Sequence, residues 1–309
     1  VQNKNNLIPI TLLLILVFSF TLSLNFSGDS TIFLNKCIAQ GKSNPEESPM
    51  NRKVKKFIED LENPNSDDDT RHTAVWTLGN LRDTRAVPYL IKVLENDKNE
   101  NIRSIAAEAL GKLEDSSAVQ PLIKALKDKD WGVRVDAVYA FRRLKDASWK
   151  AVPYIIETLK DEDETVRMTA ARVLGDLKDE SAIEPLCSSL NDKNQRVKTA
   201  AISSLGLLGN EKAIEPLNEL LKNDKNDVVR ATVLKAMGDI KGDKAIEYVI
   251  NALEDKNTFV KVIAISTLGK IGDERALKVL EKISASIEDK DMKEAIEKSI
   301  ENIKRALKQ

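Results

Sequence analysis

Between residues 70 and 270, apolar side chains recur three and four positions apart, and the stripe restarts every 31 to 33 residues. One copy places Ile102, Ala106, Ala107, Leu110 and Leu113 on a single side of a 3.6-residue helix, with polar positions between them. The restarts share a basic residue followed by a small closing pair: Arg71…Leu78-Gly79, Arg103…Leu110-Gly111, Arg134…Phe141-Arg142, Arg167…Leu174-Gly175, Lys198…Leu205-Gly206, Arg230…Met237-Gly238 and Lys261…Leu268-Gly269. A shorter apolar run precedes each stripe and opens on Ala86-Val87, Ala118-Val119, Ala151-Val152, Ala182-Ile183, Ala213-Ile214, Ala245-Ile246 or Ala276-Leu277. Pro88, Pro121, Pro153, Pro185 and Pro216 fall in the first turn of that run, where a missing N–H costs little. Asp83, Asp115, Asp179, Asn210 and Asp273 stand three residues before the alanine, as turn or N-cap side chains do.

The pattern predicts two helices per copy and an all-α stack of about seven helical hairpins, since a fixed period of this length means repeated supersecondary units. Lys53 to Leu61 reads as the first helix of an opening unit. At the other end Met292, Ile296, Ile300, Ile303 and Leu307 share one face, predicting a capping helix over 288–308 with one apolar and one wet side. The repeat body is thus assigned to 52–309.

The first residues follow another rule. No charge appears between Lys4 and Asp29, and Leu7 through Phe26 is mostly Leu, Ile, Val and Phe. About 20 apolar residues suffice to cross a bilayer, and the same run behind a short basic lead fits a secretory signal. Residues 1–28 are therefore expected to be a signal or anchor and 29–51, with Pro45 and Pro49, a flexible linker. Small residues in Cys37-Ile38-Ala39 suit a cleavage site, although far downstream; Lys36 before Cys37 speaks against a lipoprotein. The expected location is outside the cytoplasm, tethered or secreted, with membrane contact through this segment only.

Composition narrows the chemistry. Of the 309 residues 31% are charged and the formal net charge is −1, which removes a bulk electrostatic case for nucleic acid. Cys37 and Cys187 are too few for a disulfide framework or a thiolate metal cage. Cys187 stands where other copies carry Ile91, Ile123, Ile156 and Ile250, so a small core residue is expected there. There is no Gly-rich phosphate loop, no Gly-x-Ser-x-Gly and no Cys-x-x-Cys. The acidic run Asp161-Glu162-Asp163-Glu164 lacks the glycine of a calcium loop and reads as helix-capping and solvating charge. No cofactor, metal or catalytic residue is assigned.

Six of the basic residues follow an acid six positions back: Asp97–Arg103, Asp128–Arg134, Asp161–Arg167, Asp192–Lys198, Asp224–Arg230 and Asp255–Lys261; the first unit has Asn65 before Arg71. This spacing, with phrases such as Ala118-Val119-Gln120-Pro121-Leu122 and Val166-Arg167…Ala170-Ala171…Leu174-Gly175, resembles HEAT repeats of the short kind named for phycobilisome lyases, across residues 52–287. The resemblance implies a right-handed α-solenoid whose acids and bases form a ladder linking consecutive repeats, here assigned to those six pairs. It also implies that second helices line a concave face.

Five residues past each basic position stand Trp76, Glu108, Tyr139, Arg172, Ser203, Lys235 and Ser266; nine past stand Asn80, Lys112, Arg143, Asp176, Leu207, Asp239 and Lys270. Alternating signs disfavour a polyphosphate track and favour a protein or peptide ligand, with Trp, Tyr and Arg as the usual interface anchors. Trp76, Tyr139, Arg143 and Arg172 are the expected anchors. The third unit departs from the pattern: Arg142 replaces glycine, and a stretched loop carries Trp149. It marks either a binding feature or a joint that alters curvature. Two enzymatic relatives bear on function. The di-iron deoxyhypusine hydroxylases need repeated His-Glu pairs, whereas this chain has one histidine, His72, followed by Thr73. The phycobilin lyases leave an alternative role, as lyase or chaperone for a chromophore-bearing protein. The primary expectation is a non-catalytic, monomeric protein-binding scaffold.

Overall fold

The computed structural model describes residues 49–308. The apolar run Leu7–Phe26, the spacer up to residue 48 and Cys37 lie outside the described residues. Among the described residues no helix is long and apolar enough to cross a membrane. The chain divides into two units, Val1–Lys55 and Lys56–Gln309. Helix α1 (Pro49–Glu62) starts three residues inside the stretch assigned to the linker, with Pro49 at the first-turn position its ring tolerates.

Among the described residues the second unit is all-helical. First and second helices alternate along the chain. After α2 (Asp68–Leu81) come the pairs α3 (Val87–Asn96) and α4 (Glu100–Leu113), then α5 (Val119–Ala125) and α6 (Trp131–Arg143). They are followed by α7 (Val152–Thr158) and α8 (Glu164–Leu177), α9 (Ile183–Ser189) and α10 (Gln195–Leu208), and α11 (Ile214–Asn223) and α12 (Asp227–Ile240). The series closes with α13 (Asp243–Asn251) and α14 (Thr258–Ile271), then α15 (Glu274–Ser284) and α16 (Lys290–Ala306). From α4 onward each second helix packs on the second helix before it and on its own first helix, so the unit is an α-solenoid. Helix α16 occupies the place of a second helix against α14, so the expected cap completes an eighth pair.

Short polar side chains fix the start of every second helix. Asp67, Asn99, Asp130, Asp163, Asn194, Asn226 and Asn257 each accept a backbone N–H from the first turn of a second helix. Asp83, Asp115, Asp179 and Asn210 instead cap a single three-residue 3₁₀ turn that leads into the following first helix. The inward stripe is buried as its period predicts: Ile102, Ala106, Ala107 and Leu110 are all within 1% of fully covered.

Two expectations need correction, and one residue joins the cap's covered face. Leu307 is 50% exposed, because α16 ends at Ala306 and has no further layer above it. Buried Ser299 joins Ile296 and Ile303 on the covered face of the cap, since a small residue there lets α16 approach Gly269. Cys187 is half-buried rather than core; burial, with some help from Glu184, pushes its thiol pKa up.

Candidate binding face

The loop between first and second helix of each repeat carries the ladder, and the charges meet one step out of the expected register. The carboxylates of Asp97, Asp128, Asp161, Asp192, Asp224 and Asp255 face Arg71, Arg103, Arg134, Arg167, Lys198 and Arg230 of the preceding repeat, at 2.7–2.9 Å. The six same-repeat pairings suggested by the spacing are corrected accordingly. The reason lies in the two edges of a guanidinium. The Arg134 Nη1 donates to the carbonyls of Asp128 and Lys129 in its own loop, at 2.9 and 3.3 Å. Its Nε and Nη2 are left to grip both oxygens of Asp161, at 2.8 and 2.7 Å. Each aspartate is held for this by the N–H two residues on, as from Asp163 to Asp161 at 2.9 Å. Arg71 therefore has a rung despite Asn65, and Lys261, beyond the last aspartate, has no ion-pair partner among the described residues.

The same arrangement sets protonation. Burial pushes the Asp128 carboxyl up, but the Arg103 guanidinium and the Asp130 N–H outweigh it and hold its pKa below the ordinary value. Asp192 and Asp255 are held low in the same way by Arg167 and Arg230, and Asp224 by the Asn226 N–H and Lys198. A cavity of about 390 Å³ near Tyr248 opens onto Asp224, Arg230 and Asp255. Asp224, Arg230 and Asp255 in its lining are already spent on the ladder.

The second helices offer the other surface. Trp76, Asn80, Glu108, Tyr139, Arg143, Arg172, Asp176, Lys235, Asp239 and Lys270 are exposed and Lys112 half-exposed. The nine-past row is cross-linked between repeats: Lys112 reaches Asn80 at 3.1 Å and Lys270 pairs with Asp239, while Lys112 also meets Glu108 of its own helix at 2.9 Å. Arg142, at the eight-past glycine position, reaches Asp176 in the next repeat at 2.8 Å. Arg143 and Arg172 form no ion pair among the described residues. Trp76 is 54% and Tyr139 38% exposed. The structure thus brings unpaired guanidinium groups and bare aromatics to one series of helices, where most neighbouring charges, Lys235 aside, are satisfied.

The third repeat differs because Leu144 continues as right-handed helix where neighbouring second helices stop on a left-handed residue such as Glu114 or Lys178. The chain runs on into a seven-residue 3₁₀ segment, Lys145–Ala151. Buried Ser148 donates to the Phe141 carbonyl and pins the segment, while Trp149 stands exposed with the Lys150 ammonium 5.5 Å from its ring centre. The seam between α6 and α8 is looser than those on either side, as expected where Arg142 occupies the packing-glycine position.

One residue of the face escaped the sequence reading. Asp136, on α6, is half-buried and accepts a hydrogen bond from the Ser104 hydroxyl of α4. Burial pushes its carboxyl above the ordinary value; the Ser104 hydroxyl pulls it back and Glu108 adds to the rise. It borders a cavity of about 570 Å³ together with Glu108, Glu114, Tyr139, Arg142 and Arg143. His72 is exposed, and among the described residues no three His, Cys, Asp or Glu side chains are placed to hold a metal.

Stacked hairpins with interlocked loops and a varied second-helix surface define a helical-repeat solenoid. The family model described as HEAT repeats matches residues 54–142, 119–206, 152–238 and 214–301. The chain belongs to the HEAT-repeat family. No curated protein matches it. Among solved structures it is similar to Escherichia coli YibA, with 23% identity over 85% of this chain and 98% of that one and a TM-score of 0.56. An engineered protein matches at 19% identity over 81% and 78% of the two chains, with a TM-score of 0.51. The complex of CpcE and CpcF of phycocyanin lyase from Nostoc sp. PCC7120 matches at 24% identity over 85% and 97%, with a TM-score of 0.45. Identities this low bear on fold and not on activity.

Proposed function

We propose that the solenoid is a non-catalytic scaffold whose second-helix face holds a protein or peptide, and that the apolar run Leu7–Phe26 directs or tethers it outside the cytoplasm. One observation carries the binding reading. On a face where Lys112, Arg142, Asp176, Asp239 and Lys270 are tied to neighbours, Trp76, Tyr139, Arg143 and Arg172 are left uncommitted. Exposed Trp, Tyr and Arg are the residue types that dominate interface energetics. Net charge near neutrality and mixed signs suit a polypeptide of mixed charge better than nucleic acid.

Affinity capture from native membranes with the full chain as bait supplies the partner. Against it, Trp76→Ala and Tyr139→Ala are each expected to weaken binding by at least about 2 kcal/mol, roughly thirtyfold. Calorimetric affinities unchanged in both variants would reject this face. The location is tested separately, by the mass of the mature N-terminus and by protease access to the body in intact cells.

A further inference from the structure

The position two past each ladder base reads Thr73, Ile105, Asp136, Thr169, Ala200, Thr232 and Ile263 along the chain. Six of these seven residues are uncharged, and a packed helix surface needs nothing else there. Asp136 is the exception, and the fold does not give it the pairing it gives the ladder acids. Its one hydrogen-bond partner among the described residues is the neutral Ser104 hydroxyl. Leaving a half-buried carboxylate without a counter-ion is costly, so the folded chain carries a charge that its own packing does not use.

The surroundings indicate what completes it. Asp136 borders the cavity of about 570 Å³, and Tyr139, also in its lining, stands close by on α6. At the other end is Arg143, seven residues on along the same helix face, about 10.5 Å away at 1.5 Å per residue. The remaining charges are committed elsewhere: Glu108 to Lys112, Arg142 to Asp176, and Glu114 to a contact of its own. The pocket therefore has an acidic end and a basic end with an aromatic wall. Asp136 and Arg143 lie too far apart on one helix to neutralise each other.

Resting on the binding reading above, we propose that this pocket is a bipolar recognition site for an extended peptide of the partner. A lysine or arginine side chain of the peptide seats on Asp136 beside the Tyr139 ring, and an acidic side chain about three residues away reaches Arg143. A cation over a tyrosine face gains further attraction from the ring, and three extended residues span about 10 Å. The site thus selects a charge pattern with a direction, which a flat mixed surface would not.

Selection of a displayed library of random linear peptides on the full chain tests this. The wild-type protein is expected to enrich peptides with one basic position and one acidic position about three residues apart. Asp136→Asn keeps the shape and the Ser104 hydrogen bond; it is expected to erase the basic preference and leave the acidic one. Arg143→Gln, at an exposed position, is expected to do the reverse. Because the native environment already disfavours the charged Asp136, Asp136→Asn should melt no lower than wild type, which separates a binding effect from misfolding. Enrichment of peptides whose charge pattern neither substitution alters overturns the bipolar site while the binding face stands. No enrichment over a blank by any of the three proteins overturns the binding face itself, and the pocket with it.

Discussion

Replacing Arg134 by methionine is expected to lower the stability of the solenoid by about 3 kcal/mol, the typical cost of removing one partner from a buried ion pair. Only 8% of the Arg134 side chain and 11% of Asp161 is exposed, so water can do little to replace the rung. The substitution strands Asp161 with the Asp163 N–H as its remaining strong partner, and it removes the donor from the Asp128 and Lys129 carbonyls. A surface pair would give about 0–1 kcal/mol. The rung joins repeats three and four, where Arg142 stands in place of the packing glycine and the second helices meet more loosely than at the neighbouring junctions. Urea unfolding followed by circular dichroism measures the loss, and a change below about 1 kcal/mol would show the ladder to be decorative. The same network sets acid sensitivity. Asp128, Asp192, Asp224 and Asp255 titrate below their ordinary values in the folded chain. Their contribution is therefore complete above the unfolded carboxyl value near pH 4 and is lost as pH falls through the lower folded values. Thermal midpoints should hold down to about pH 4 and then fall steeply. A midpoint that fell already between pH 7 and 5 would point to other groups.

The parts of this molecule legible in the chain are those that repeat with helical period. Ile102 and Leu110 had to face inward, and a basic residue every 31 to 33 positions had to stand at one place in every hairpin. What spacing could not show is direction. Asp128 lies six residues before Arg134, yet the turn at Asp130 aims its carboxylate back toward Arg103, and Arg134 meets it only through a backbone carbonyl. Distance along the chain says nothing about which edge of a guanidinium faces which neighbour. The binding face was partly legible: Trp76, Tyr139 and Arg143 follow from counting along the second helices. Asp136 was not seen, because the count fell on the rows five and nine past the base. Aligning the row two past the base would have exposed an acid among threonines, alanine and isoleucines. Its contact with Ser104, 32 residues earlier, belongs to the packing between repeats and has no trace within one repeat.

A single added side chain at Gly111 is expected to test both the stack and the site. An added Cβ there would lie 2.8 Å from the Ala140 Cα and 3.0 Å from its Cβ, so the obstacle is largely backbone and cannot swing aside. Helix α4 must then move away from α6. Alanine in place of helical glycine normally stabilises by about 1 kcal/mol; here Gly111→Ala should cost stability despite that gain, and Gly111→Val should cost about 3 kcal/mol through overpacking. Gly132, also helical, provides the contrast: a Cβ there meets only the Asp130 Oδ1 at 3.0 Å and the Ser104 Oγ at 4.0 Å, both side-chain tips that can yield. Gly132→Ala should be neutral or slightly stabilising. The glycine seam also sets the width of the pocket between Glu108 on α4 and Asp136 and Tyr139 on α6. A Gly111→Ala chain that remains folded should therefore lose charge-patterned peptide selection before it loses helix content, whereas Gly132→Ala should keep both. If Gly111→Ala proved as stable as wild type, the close crossing of second helices that supports the face would have to be abandoned.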